Sequence, residues 1–136
     1  MIMVFTTTFR VRWVDTDCAG VMCFTNFFRY VAACEEEFYR SVGMTVNTIR
    51  EKYGLMLPRA EVHCQFKAAC RFDDLVEVTL RVREVADKSI TYDFQLFRKQ
   101  EGQLAAEGYI KCIAVDSNWK VVKIPSDVAK AIREHA

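Results

Sequence analysis

Residues 11–28, VRWVDTDCAGVMCFTNFF, constrain this chain more than any other stretch. Upstream, Phe5, Phe9, Val11 and Trp13 alternate with Thr8, Arg10 and Arg12, the period of a half-buried strand, which predicts a strand over 4–15. The alternation stops at Asp15. Asp15 and Asp17 then stand two residues apart, Gly20 follows, and a short apolar run leads to Thr25 or Asn26. Either of those can cap a helix spanning 25–42, the longest the pattern predicts. A carboxylate just ahead of a helix lies near unpaired backbone N–H groups and the positive end of the helix dipole. Such a turn sets a base or nucleophile beside a donor able to hold an oxyanion. The plainer alternative is an acid-rich turn that only starts the helix.

The predicted helix carries Phe27, Phe28, Val31, Phe38 and Tyr39 at helical spacings, with Glu35, Glu36, Glu37 and Arg40 as polar positions and Gly43 as its stop. Thr45 opens a second, short helix that ends at Gly54. From Leu55 onward the pattern is nearly all strand. Ala60, Val62, Cys64 and Phe66 alternate with Arg59, Glu61, His63, Gln65 and Lys67. Val76, Val78, Leu80 and Val82 mark the next strand, Ile90, Tyr92, Phe94 and Leu96 another, and 104–116 the last. A C-terminal helix starts near Pro125, with Ser126 or Asp127 at its cap. One long helix followed by strands at hairpin spacing argues for an α+β domain, a sheet packed on that helix. Phe27, Phe28, Val31, Ala32, Ala33 and Cys34 imply burial of the helix on more than one face. No repeat or linker interrupts the chain, so residues 1–136 read as one domain.

Several function classes fall away. Nineteen basic and 18 acidic residues are interspersed for a net charge of +1, leaving no basic block for nucleic acid. Apolar runs are too short to span a bilayer, and Met1-Ile2-Met3-Val4 lacks the basic flank and cleavage site of a leader, so a cytoplasmic location is expected. The six cysteines form no C-x-x-C pair and are expected to be reduced. Cys18 and Cys23 flank the acidic turn, but no basic partner for a nucleophilic thiol is visible there. Of two histidines, His135 is penultimate and His63 sits on the polar face of a strand, so a Ser-His-Asp or Cys-His triad would have to use His63. No zinc-like spacing or nucleotide-binding glycine pattern exists, and a reaction without metal or cofactor is the natural inference.

The run RWVDTDCAGVMCFTNFFRY, an aromatic followed by D-x-D-x-x-G, a short apolar run and an aromatic-rich helix, resembles the signature of the 4-hydroxybenzoyl-CoA thioesterase-like branch of the hotdog superfamily. The resemblance extends over nearly the whole chain in length and element order. It implies a curved antiparallel sheet wrapped around a central helix, and acyl-CoA thioester hydrolysis. An acyl-carrier-protein thioesterase and a non-catalytic acyl-CoA binder are the alternatives on the same fold. In related thioesterases the second Asp of the motif is catalytic, here Asp17, and the N–H at the helix start, here Phe24, holds the thioester carbonyl. Asp15 becomes a structural acid. Substrate contacts are implied at Cys23, Asn26, Pro58 and the Lys88-Ser89 turn, which matches a phosphate-contacting turn of the family. Asn26 can instead orient the turn or cap the helix, the reading favoured on residue type. Hotdog subunits pair through sheet edges, so a homodimer or homotetramer is implied, with residues around Pro58 to Val62 of a second subunit completing the pocket.

Departures from the family bear on the acyl group. Phe24 stands where the branch linked to the Tol-Pal envelope system carries His, and Ala32 where that branch and the 4-hydroxybenzoyl enzyme carry an acid. An aromatic at Phe24 suits a flat aryl group. Glu35 or Glu36, a turn beyond Ala32, are the candidates to compensate for that acid, with solvent exposure the favoured expectation.

Overall fold

The structure is a computed structural model that describes residues 4–135, so the reading of Met1–Met3 as part of no leader lies outside the described residues. Five strands, β1 (Phe5–Arg10), β2 (Arg59–Phe66), β3 (Leu75–Val85), β4 (Ser89–Arg98) and β5 (Gln103–Ile113), form one sheet in the order β1-β3-β4-β5-β2. Each neighbouring pair is antiparallel. The helices are α1 (Phe24–Ser41), α2 (Val46–Tyr53) and α3 (Ser126–Arg133).

The period-2 pattern places the core. Val78 pairs with Leu96 and Leu80 with Phe94, and these residues with Val76, Ile90 and Tyr92 are buried on one sheet face. Against them lies a stripe of α1 made by Phe27, Tyr30, Val31, Cys34, Phe38 and Tyr39 at i, i+3, i+4, i+7 spacing. Each large apolar side chain so buried contributes roughly 1.5–3 kcal/mol. With Glu35, which adjoins it, this stripe is the buried part of α1. Phe28, Ala32 and Ala33 are half-buried, so the expected burial of α1 on more than one face does not occur within the protomer.

Local signals set several boundaries. Thr45 Oγ1 accepts from the Thr48 N–H at 3.1 Å and starts α2, while Gly54, at φ +62°, ends it in the left-handed conformation. At Gly108 an added Cβ would lie 1.7 Å from the His63 carbonyl oxygen, so β2 and β5 approach too closely there for any side chain.

Other expectations are corrected. The first strand stops at Arg10, and Trp13–Asp15 form a 3-10 turn that leaves Trp13 79% exposed and Asp15 1% exposed, the reverse of the alternation. Cys23, not Thr25 or Asn26, occupies the N-cap of α1, and its side chain makes no capping bond. Pro125 precedes α3 in place of Ser126 or Asp127, and β5 ends at Ile113, before Asp116. The pairing of β2 with β5 shifts register between Arg59 and Glu61. That bulge turns Arg59 onto the helix side, beside Cys112, whereas unbroken alternation puts it on the polar face.

β1 and β2 are the two edge strands, and nearly all residues of β2 are exposed, Val62 and Phe66 among them. Edge strands of this length that present apolar side chains are ordinarily covered.

Candidate active site

The acidic turn is built around Asp15. Its buried carboxylate takes the Tyr30 hydroxyl at 2.6 Å on one oxygen and the Arg29 guanidinium on the other. Its carbonyl oxygen accepts from the Cys23 N–H at 3.0 Å and from Asn26 Nδ2 at 2.9 Å. All four donors belong to the N-cap and first two turns of α1, so Asp15 ties the turn to the head of the helix at both its backbone and its side chain. Burial, and the hydrogen bond to Asp15, raise the Tyr30 pKa. The phenol therefore stays protonated and keeps donating. Unlike an extended segment, the 3-10 turn sends Asp15 inward while Asp17, two residues on, is exposed.

Asp17 heads a tight loop. Its N–H donates to the Val21 carbonyl, its Oδ1 accepts from the Ala19 N–H at 2.9 Å, and its carbonyl accepts from the Gly20 N–H at 3.0 Å. Gly20 takes φ +80°, which a side chain would disfavour. The loop is closed by the Thr16–Met22 bridge and anchored by the Met22 N–H on the Cys70 carbonyl at 2.7 Å. The second oxygen of Asp17 has no hydrogen-bond partner among the described residues.

Phe24 is the first residue of α1, and no acceptor among the described residues takes its N–H. An 18-residue helix thus presents a free donor at its positive end, next to the loop that carries Asp17. The Phe24 ring is 63% exposed and meets Phe66 of β2 edge-on at 6.1 Å between centroids. Phe27 and Phe28 meet the same ring at 5.1 and 6.5 Å. Helix head and sheet edge together form an aromatic surface.

The remaining expected contacts divide. Cys23 lies at the helix head, with Sγ 3.2 Å from Thr25 Oγ1. Asn26 orients the turn through the Asp15 carbonyl, which overturns the capping reading. Pro58, Lys88 and Ser89 gather elsewhere. The Pro58 carbonyl accepts from Ile113, which pairs with Ser89, and the Lys88 carbonyl accepts from Ala114. These three residues stand at the Arg59 end of β2, whereas Phe24 packs at the Phe66 end. Seven strand residues separate the two, about 23 Å. One protomer does not bring the two sets together.

Other chemistries find little support in this geometry. His63 stacks on Tyr109 with ring centroids 5.5 Å apart, on the face of β2 away from α1. Burial pushes the Cys34 and Cys112 thiols up to about 12, and those of Cys64 and Cys70 to about 11. All four stay protonated near neutrality. All six cysteines are free. Among the described residues, no three His, Cys, Asp or Glu side chains cluster as metal ligands would. No described helix is long and apolar enough to cross a membrane.

Sequence reasoning missed Arg29, Tyr30, Phe66 and the pairing of Glu35 with Arg59. Glu35, expected in solvent, is 4% exposed and bound to the Arg59 guanidinium at 2.8 Å, whereas Glu36 is exposed. Tyr30 and Glu35 fit the helical stripe by spacing, a signal that was present but masked by their polar ends.

Comparison with known proteins follows the same outline. The thioesterase-like superfamily matches residues 11–132. An acyl-CoA thioesterase of Haemophilus influenzae is 26% identical over 123 residues, covering 90% of this chain and 89% of that protein. A 1,4-dihydroxy-2-naphthoyl-CoA hydrolase of Synechococcus is 27% identical over 113 residues, covering 79% and 74%. The crystal structure of a 1,4-dihydroxy-2-naphthoyl-CoA thioesterase from Synechocystis, 22% identical, superposes with a TM-score of 0.89 over 96% of each chain, a likeness of fold. The α+β hotdog arrangement is therefore the fold of this chain.

Proposed function

Because this chain belongs to the thioesterase-like superfamily and is a thioester hydrolase, we propose that it cleaves acyl-CoA to the free acid and CoA at a site centred on Asp17 and the Phe24 N–H. The observation that carries the reading is the uncapped head of α1 beside the Asp17 loop. A thioester carbonyl seated on the Phe24 N–H develops negative charge as a nucleophile adds, and the helix dipole favours that charge. The Asp17 carboxylate supplies the other half, by attacking the carbonyl or by taking a proton from the attacking water. The C–S bond then breaks and CoA leaves as a thiolate, a good leaving group that needs no strong general acid. The steps call on no cofactor beyond the CoA of the substrate.

The edge-exposed β2 supports a homodimer, itself able to pair into a tetramer. Antiparallel pairing of β2 with its own copy about a two-fold axis near mid-strand sets residue 59 of one subunit beside residue 66 of the other. The Pro58, Lys88 and Ser89 end of one subunit then meets the Asp17 and Phe24 end of its partner, closing the 23 Å gap (about seven residues of strand). Lys88, exposed in the β3–β4 turn, is placed to meet a CoA phosphate, and Cys23 and Asn26 to line the reacting end. Asn26 is less free for this, because its amide already serves Asp15. The ring cluster of Phe24, Phe27, Phe28 and Phe66 favours an aryl acyl group, as in the 4-hydroxybenzoyl-CoA thioesterase-like branch. A cytoplasmic, single-domain enzyme is the accompanying picture.

The test is hydrolysis of a panel of acyl-CoAs and one acyl-carrier-protein thioester, followed by the free thiol released, with Asp17→Asn as control. Release from acyl-CoA that is lost in the variant supports the reading. Release only from the carrier protein moves the substrate. Binding of acyl-CoA with no release by the wild type makes the protein a binder.

A further inference from the structure

Trp119 stands where its residue type is poorly suited. Its φ is +59°, in the left-handed region that glycine or asparagine ordinarily fills, and it is 66% exposed. The turn around it is firmly made. Asp116 Oδ1 accepts from the Asn118 and Lys120 N–H groups at 2.8 and 3.0 Å, and the Asp116 carbonyl accepts from the Trp119 N–H at 2.9 Å. The Asp116 N–H donates to the Lys120 carbonyl at 2.9 Å, and Val115 bridges Val121 below. None of these bonds calls for an indole. A large ring held in water on a left-handed backbone is a cost that the turn itself does not repay.

The turn lies at the sheet end that carries Pro58. The Ala114 N–H donates to the Lys88 carbonyl at 2.9 Å, the Ile124 N–H to the Asp87 carbonyl at 2.8 Å, and Val115 bridges Met56. Lys88, Lys120 and Lys123 are exposed there, and among the described residues none of the three takes part in an ion pair. Asp87 and Asp116 oppose them, but Asp116 is engaged within its own turn. Trp119 lies about three strand residues beyond Lys88, roughly 10 Å, within the span of one nucleotide.

We propose that Trp119 is the platform on which the adenine of CoA stacks, and that it selects CoA as the carrier, an inference that rests on the acyl-CoA reading above. The indole offers a π face to the base, and Lys120 and Lys123 attract the phosphates as point charges beside it. In the β2-paired dimer this end stands against the partner subunit's Asp17 loop. The thioester is then held by one subunit and the nucleotide by the other. An acyl-carrier protein brings the same pantetheine arm without an adenine, so it gains nothing from Trp119.

The test compares kcat/KM of the wild type, Trp119→Ala and Trp119→Gly on one acyl group carried by CoA, by pantetheine and by an acyl-carrier protein. Intrinsic fluorescence is followed during titration with free CoA and with AMP. The wild type is expected to prefer the CoA ester over the pantetheine ester by about tenfold or more. Removal of the indole is expected to narrow that preference by about tenfold, through KM for the CoA ester, the worth of one stacked base. Free CoA is expected to quench the wild type and to do so far less in Trp119→Gly, where Trp13 is the remaining indole. Because glycine suits the left-handed backbone, the melting temperature of Trp119→Gly is expected to be unchanged or about 2–4 °C higher. A lower one, or loss of the dimer in either variant, gives the ring a structural role and overturns the platform. Equal rates of the wild type on the CoA and pantetheine esters, a CoA preference that survives in the variants, or a preference for the carrier-protein ester overturns it while leaving thioester hydrolysis intact. Quenching by AMP as strong as by CoA makes the turn a general nucleotide site and overturns the selector. Hydrolysis of no thioester while CoA still quenches Trp119 rejects the hydrolase reading alone, and neither hydrolysis nor quenching overturns both.

Discussion

Two buried carboxylates bracket the long helix α1, Asp15 packed against its head and Glu35 in its second half, and they differ in how completely they are satisfied. Asp15, at the head, has its carboxylate filled by Tyr30 and Arg29 and its carbonyl by Cys23 and Asn26. Glu35, toward the tail, holds Arg59 alone and faces a cavity. Both acids are paired with an arginine that reaches solvent. A saturated buried acid fixes geometry, because any rearrangement leaves charge without a partner. An unsaturated one at a cavity wall has capacity left for a ligand. The comparison separates a residue that builds the turn from one that keeps hydrogen-bonding capacity to spare.

Substitutions test this contrast, beginning with the largest effect. Asp17→Asn is expected to lower kcat by roughly 10³–10⁴-fold with an unchanged melting temperature, since the residue is exposed and outside the core. Asp15→Asn that proves equally or more damaging at unchanged stability assigns the chemistry to the wrong acid. Asp15→Ala leaves the buried Tyr30 hydroxyl without its charged acceptor and releases the half-exposed Arg29, and is expected to cost about 2–3 kcal/mol in urea unfolding. Tyr30→Phe removes one bond to a charged acceptor and should cost about 1.5 kcal/mol by the same measurement.

The smallest effect is a slope. Because the folded-state pKa of Glu35 is raised, its contribution favours the folded state most below the ordinary carboxylate range and fades as pH rises through the folded value. The stability of the wild type minus that of Glu35→Gln should therefore fall as pH rises across that window. A difference that grows with pH there gives Glu35 the opposite sign and removes the contrast with a fully partnered acid.

Much of the fold was legible because burial imposes a period. Val76 to Val82 and Ile90 to Leu96 alternate in sequence and are buried in the structure as that alternation requires. Thr45 and Gly54 bound α2 through bonds made within a few residues, so local chemistry sufficed there. At the acidic turn the same rules misled. Trp13 continues the apolar alternation yet is exposed, and Asp15 interrupts it yet is buried, because the partners of Asp15 come from a helix that starts nine residues later. Arg59 was misplaced for a related reason. A one-residue bulge reverses its face, and alternation cannot register a bulge.

The sequence by itself determined the class of fold, the long helix, the acidic turn before it and the resemblance to thioesterases, since each depends on residue type and spacing along the chain. Only the tertiary structure decided which carboxylate is buried and which is free, that Glu35 and Arg59 share a cavity, and that Pro58 and Lys88 stand at the opposite sheet end from Phe24. Those outcomes are fixed by which groups find partners across space, and charge satisfaction between distant segments leaves no period in the chain to read.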